Sequence, residues 1–133
     1  MTPRVFFDTN ILIYAVAQDH PRGSQAEELL AAGGVLSVQV LNEFVSVARR
    51  KILMPWPDVR EALGAILDLC RSPVPITLET HQSALKIAEK FGYGIYDALI
   101  VAAALQAECT VLYSEDLHDG QKINGLTIRN PFS

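Results

Sequence analysis

Val5-Phe6-Phe7-Asp8-Thr9-Asn10 is the stretch that decides the fold. Three apolar β-formers stop abruptly at three polar side chains. Such a run is too short for a helix and lacks the alternation of a half-exposed strand, so it reads as a buried strand. Strands apolar on both faces belong to parallel sheets covered by helices. Asp8 then stands just beyond the carboxyl end of that strand. The pattern returns downstream, where Thr110-Val111-Leu112-Tyr113 is followed by Ser114-Glu115-Asp116.

The segments between these two strands alternate in the same way. Ile11 to Val16 reads as a short helix. Asp19-His20-Pro21-Arg22-Gly23 is a loop by its Pro and Gly. Ser24, with Glu27 three residues on, is expected to cap a helix through Ala32, and Gly33-Gly34 to end it. Val35-Leu36 is a second short strand. Ser37 caps the next helix, whose apolar stripe is Val38, Leu41, Val45 and Ala48 and whose last turn holds Arg49, Arg50 and Lys51. Pro55-Trp56-Pro57-Asp58 breaks the chain before a helix from Val59 to Cys70. Pro75 to Leu78 is extended, Thr80 caps a helix to about Phe91, and Gly92-Tyr93-Gly94 turns. Asp97 opens an apolar helix to about Ala107, and Leu126 to Arg129 is a last strand. The resulting order, β-α-α-β-α-α-β-α-α-β-β, predicts an α/β fold. It is a three-layer α/β/α sandwich on a mostly parallel sheet of about five strands. Ligands of such sheets sit beyond the carboxyl ends of the strands.

Composition bounds the rest. The chain has 133 residues, half of them apolar and one fifth charged, which suits one domain spanning 1–133 with a proper core. Its mean hydropathy of +0.21 disfavours disorder. The longest apolar run, Ala98 to Leu105, falls short of the roughly 18 residues that span a bilayer. The N-terminal Met-Thr-Pro-Arg has no secretory pattern. Cys70 and Cys109 suit reduced thiols, so a cytoplasmic protein is expected. Eleven bases against fifteen acids give −4, which excludes a broadly basic nucleic-acid coat.

Four acids fall where a site belongs. Asp8 and Asp116 each follow a strand. Glu43 lies about one and a half turns into the helix behind the second strand, and Asp97 opens the apolar helix. Each has a plain structural reading: Asp8 and Asp97 suit helix caps, Glu43 a solvated face, and Asp116 a polar loop. The case rests on the set. Carboxylates gathered at one point repel each other, and a hard divalent cation removes that conflict. No glycine-rich phosphate loop is present, so no nucleotide cofactor is indicated.

At these residues the sequence resembles the PIN-domain family, and within it the VapC-type toxins of toxin–antitoxin pairs. The resemblance is carried by Asp8-Thr9-Asn10, Gln39-Val40-Leu41-Asn42-Glu43-Phe44, Tyr96-Asp97-Ala98-Leu99-Ile100-Val101 and Leu112-Tyr113-Ser114-Glu115-Asp116. It runs from about Val5 to Arg129, through the order and spacing of these pieces. By position it implies that Asp8, Glu43, Asp97 and Asp116 are catalytic metal ligands for Mg²⁺ or Mn²⁺, with Thr9, Asn10 and Ser114 in support. It implies an endoribonuclease, a homodimer and a small antitoxin partner; attack by a metal-activated water is then expected to leave a 3′-hydroxyl and a 5′-phosphate. The family's usual second Asp after the fourth acid is here His118, with Asp119 next. The roles of Glu115, His118 and Asp119 stay open.

Two other readings compete. One is a PIN scaffold that binds RNA or protein with little catalysis, and the other is an enzyme for small phosphomonoesters. Arg49-Arg50-Lys51 suit either an RNA backbone or a helix C-terminus, and Trp56 suits either a base or loop packing. Phe91, Tyr93 and Tyr96 suit either a groove or the core. No His/Cys zinc spacing occurs. Without the four site acids the chain has eleven acids and eleven bases, so its whole acidic excess equals the proposed site.

Overall fold

The computed structural model describes residues 3–17 and 19–133. Met1 and Thr2, which begin the stretch read as no secretory signal, lie outside the described residues. The chain runs β1 (Val5–Phe7), α1 (Thr9–Val16), α2 (Gly23–Ala31), α3 (Val38–Arg50), α4 (Trp56–Leu69), α5 (Leu78–Phe91), α6 (Ile95–Gln106), β2 (Val111–Tyr113), β3 (Lys122–Ile123) and β4 (Leu126–Arg129). The sheet order is β1-β2-β4-β3. β1, β2 and β4 are parallel, and β3 pairs antiparallel with β4.

Four strands form where about five were expected. The expected Val35-Leu36 strand survives as a single bridge, Phe6 to Val35, whereas the expected Pro75 to Leu78 strand does not form: the bridge there is Ser37 to Val74, one residue earlier, and Leu78 already begins α5. Val35 exchanges hydrogen bonds with β1, Phe7 N donating to its carbonyl at 2.9 Å and its own N–H to Val5 at 2.8 Å. Longer pairing is blocked because Ser37 already caps α3, its Oγ accepting from Val40 N at 3.2 Å. Val74 lies between Pro73 and Pro75, and neither proline can donate to a ladder. The short strand β3 was not foreseen. It is closed onto β4 by Asn124-Gly125, both at positive φ (47° and 88°), as a two-residue hairpin turn requires.

Several helix starts also shift. Arg22, not Ser24, precedes α2, with no side-chain cap. The His20 imidazole accepts from Arg22 N at 3.0 Å, which winds the first turn two residues early. α4 begins at Trp56 because Pro57 is tolerated in a first helical turn. Thr77 caps α5, and Thr80 answers it reciprocally: Thr80 N donates to Thr77 Oγ1 at 3.1 Å and Thr77 N to Thr80 Oγ1 at 3.2 Å. Gly94 precedes α6, so Asp97 is its third residue rather than its cap.

The core explains the rigidity of this frame. Every residue from Ala98 to Ala104 is buried, so α6 is apolar all round, as expected of a helix enclosed on all sides. It packs on α5 and touches α3, while α1 contacts α2 and α3. Phe6, Phe7, Leu112 and Ile128 have no exposed surface. Phe7 also fixes Gly34. A Cβ at Gly34 would collide with Phe7 Cε2, approach Cζ to 2.8 Å and the Val5 carbonyl to 3.0 Å. Gly34→Ala is therefore expected to lower stability by about 1–3 kcal/mol, as overpacking does, measured by urea unfolding. Among the described residues, no helix is long and apolar enough to cross a membrane. Cys70 and Cys109 are buried free thiols.

Candidate metal centre

The parallel register sets Phe7 beside Tyr113, so the next residues, Asp8 and Ser114, meet at the carboxyl ends of β1 and β2. Asp8 N donates to the Tyr113 carbonyl at 3.0 Å. Ser114 Oγ donates to Asp8 Oδ2 at 2.7 Å, and Thr9 N to Asp8 Oδ1 at 2.6 Å. Asp8 is thus both the cap of α1 and a carboxylate anchored on two sides. It is 4% exposed and Ser114 0%. Ser114 Oγ also accepts from Leu117 N at 3.2 Å, which folds the loop back over β2.

The other three acids face the same region from separate elements. Glu43 is half-buried on α3, where Gln39 Nε2 donates to its Oε2 at 3.2 Å. Asp97 is half-buried in the first turn of α6, where the helix dipole favours an anion. Asp116 is exposed, and Asn10 Nδ2 donates to its Oδ2 at 3.0 Å. Burial pushes the Asp8 carboxyl up, against the Ser114 and Thr9 hydrogen bonds, and the charges of Asp116 and Asp97 add to the rise. Burial likewise raises Glu43 to about 6, opposed by Gln39 and reinforced by Asp8, Asp97 and Asp116. Burial raises Asp97, and Asp116 adds to it. The four acids therefore share one field, and no protein cation is among the main groups acting on Asp8, Glu43 or Asp97.

That donor set fits a hard divalent cation. All the donors are oxygens, and among the described residues no cation compensates the charge and the buried Thr9 hydroxyl beside Asp8 finds no hydrogen-bond partner. Among the described residues, no three His, Cys, Asp or Glu side chains are drawn close enough to encircle an ion as they stand. Asp8 is the fixed member. Glu43 and Asp116 each have a single hydrogen bond from a neighbouring amide.

The residues left open find their places here. Glu115 turns away from the acids. It accepts from Tyr14 and pairs with Arg22, whose guanidinium also lies over the Tyr14 and Phe132 rings. It ties the loop to α1 and to the C-terminal segment. Asp119 accepts from Asn130 N at 2.9 Å. His118 is exposed and tilts against Tyr93 at 5.5 Å between ring centroids. Gln39 is the site neighbour that the sequence reading passed over. Its signal was its position four residues before Glu43, which shares a helix face.

The comparisons agree with this architecture. The PIN domain family model matches residues 5–118. No curated protein matches the chain significantly. Among solved structures, a toxin–antitoxin complex from Klebsiella pneumoniae is 20% identical with a TM-score of 0.72, covering 96% of this chain and 97% of that one. VapBC2 from Rickettsia felis, bound to a DNA fragment from its promoter, is 20% identical with a TM-score of 0.67, covering 94% and 96%. VapC20 of Mycobacterium tuberculosis, a sarcin-ricin loop cleaving toxin, is 19% identical with a TM-score of 0.64, covering 84% and 89%. With its strand order, its buried Asp8 and a match over most of its length, the chain belongs to the PIN-domain family.

Proposed function

We propose that the chain is a Mg²⁺- or Mn²⁺-dependent endoribonuclease, the toxin of a toxin–antitoxin pair. It acts in the cytoplasm as a homodimer and is held in check by a small antitoxin protein. The observation that carries this reading is the buried Asp8, anchored by Ser114 and Thr9 within the field of three further acids. The VapC20 neighbour is a sarcin-ricin loop cleaving toxin, and the Klebsiella pneumoniae neighbour is a toxin–antitoxin complex, which supports RNA and an antitoxin as partners.

Asp8, Glu43, Asp97 and Asp116 would hold the ion, with Thr9, Asn10 and Ser114 in support. The ion, when bound, acidifies water and stabilises charge on a phosphoryl oxygen. Asp8 fixes the site on the sheet, because its two oxygens are already oriented by Ser114 and Thr9. Asn10 orients Asp116 and Gln39 orients Glu43, each through one amide hydrogen bond. Hydrolysis adds water oxygen to phosphorus and breaks the P–O3′ bond. The displaced O3′ takes up the proton that the attacking water gives up, leaving a 3′-hydroxyl and a 5′-phosphate.

The test is cleavage of RNA with Mg²⁺ or Mn²⁺. Cutting should stop in EDTA, return with excess Mn²⁺, and fall sharply in Asp97→Asn, while a small phosphomonoester stays intact. Cleavage that persists in EDTA sinks the reading. RNA binding without cleavage in any divalent ion favours a binding scaffold instead.

A further inference from the structure

Glu43 opens onto a groove of about 460 Å³ whose far end, at Ser46, Arg50 and Tyr96, no step of the hydrolysis uses. Its lining is Gln39, Asn42, Glu43, Ser46, Arg50 and Tyr96. Gln39, Glu43, Ser46 and Arg50 recur at helical spacing and form one polar stripe of α3. The stripe is tied in pairs: Gln39 donates to Glu43, and Arg50 Nε donates to Ser46 Oγ at 3.0 Å. The groove has an acid at one end and a cation at the other. Seven residues of helix separate them, a rise of about 10 Å.

Tyr96 is 64% exposed although it directly precedes the site residue Asp97. Arg49 is otherwise engaged, with its guanidinium 4.5 Å over the Trp56 ring and Nη1 donating to the Met54 carbonyl at 2.8 Å. Arg50 is the cation of the Arg49-Arg50-Lys51 cluster that lines the groove.

We propose that this groove carries the single-stranded flank of the RNA away from the metal centre, with Tyr96 stacking a base and Arg50 holding a phosphate. The inference rests on the nuclease reading above. The chemistry matches a nucleic-acid strand. An aromatic face stacks any base, a guanidinium takes phosphate oxygens, and Asn42 and Gln39 offer amides at the base edge nearest the acids. The lining is too polar for an apolar helix, and a single cation is too little for a duplex.

The experiment measures kcat and KM on an unstructured oligoribonucleotide for the parent, Tyr96→Ala, Tyr96→Phe, Arg50→Gln and, as a remote control, Lys86→Gln. Tyr96→Ala should raise KM about tenfold with kcat little changed, the signature of a uniform binding contact. Tyr96→Phe keeps the ring face and should restore the parent KM. Arg50→Gln should raise KM and reduce the dependence of log KM on log salt by about 0.7. Lys86→Gln, on the exposed side of α5, should match the parent. Parent KM values in both Tyr96→Ala and Arg50→Gln overturn the proposal. So does light scattering that shows Tyr96→Ala converting a dimer to monomer, because a second copy then covers the groove. If the parent cuts no RNA at all, the nuclease reading falls and the groove inference falls with it.

Discussion

Asp8→Asn should reduce metal-dependent RNA cleavage about a thousandfold while the fold stays intact. A metal ion contributes several kcal/mol to a phosphoryl transition state, and about 4 kcal/mol is three powers of ten in rate. The substitution is nearly isosteric, so the loss isolates charge. Asn caps helices as well as Asp does, and its Oδ1 can still accept from Thr9 N. The Ser114 hydroxyl, which now donates to Oδ2 at 2.7 Å, can rotate and accept from the new amide. Removing a charge from a site 4% exposed also ends its desolvation penalty. Metal-free Asp8→Asn is therefore expected to melt no lower than the parent, whereas Asp8→Ala forfeits the cap and about 1 kcal/mol. Paired cleavage assays and thermal melts decide the matter. Parent-level cleavage by Asp8→Asn would remove Asp8 from the chemistry, and a collapsed melt would mean that its role is structural.

Why Asp8 was legible and other features were not is a matter of where the determining forces act. Val5-Phe6-Phe7 is a local signal, and a buried strand ending in Asp follows from three adjacent residues. The same holds for Leu126 to Arg129 and for the Ser37 cap, both found where the sequence placed them. Helix starts depend on partners outside the helix. The His20 imidazole decides where α2 begins, and nothing near Ser24 announces that competition. Thr77 and Thr80 satisfy each other, so either could have been taken for the cap. The β3 hairpin was signalled by Asn124-Gly125, but two-residue strands give too little alternation to flag.

The site shows the same division. That Asp8 and the Ser114 to Asp116 loop meet at one sheet edge follows from the parallel register of β1 and β2, and the charges of Asp116 and Asp97 add to the upward shift of Asp8. Which neighbours orient them does not follow, because Asn10 reaches Asp116 across 106 positions of sequence. Glu115 is the sharpest case. It lies between Ser114 and Asp116, yet its carboxylate serves Tyr14 and Arg22. Side-chain direction in a loop has no fixed period, so only the fold tells which of these residues face the acids.

The same crowding should give the protein opposite pH responses with and without metal. Glu43 titrates near 6 in the folded chain, against an ordinary value of 4.5. Between those values the folded state keeps a proton that the unfolded state has lost. Stability then falls as pH rises, because the slope follows protons bound in the unfolded state minus those bound in the native state. The contribution is complete below 4.5 and is lost as pH rises through about 6. Glu43 is only half-buried, so solvent screening leaves about 1 kcal/mol of it. Burial shifts Asp8 and Asp97 in the same direction and enlarges the effect. A divalent ion reverses the sign, since it binds the deprotonated acids and competes with their protons. At a hundredfold excess over Kd it should add about 2.7 kcal/mol, a rise in Tm on the order of 10 °C for a chain of this size. Melts in EDTA should thus decline from about pH 4.5 to about pH 6, and melts in Mn²⁺ should climb over the same interval. An EDTA-treated chain that instead gains stability toward neutral pH would show that the acids do not strain the fold. Mn²⁺ that leaves Tm unmoved at neutral pH would show that they do not gather on an ion. The two arms fail separately, so the experiment distinguishes a cluster that is merely repulsive from one that repulsion has prepared for metal.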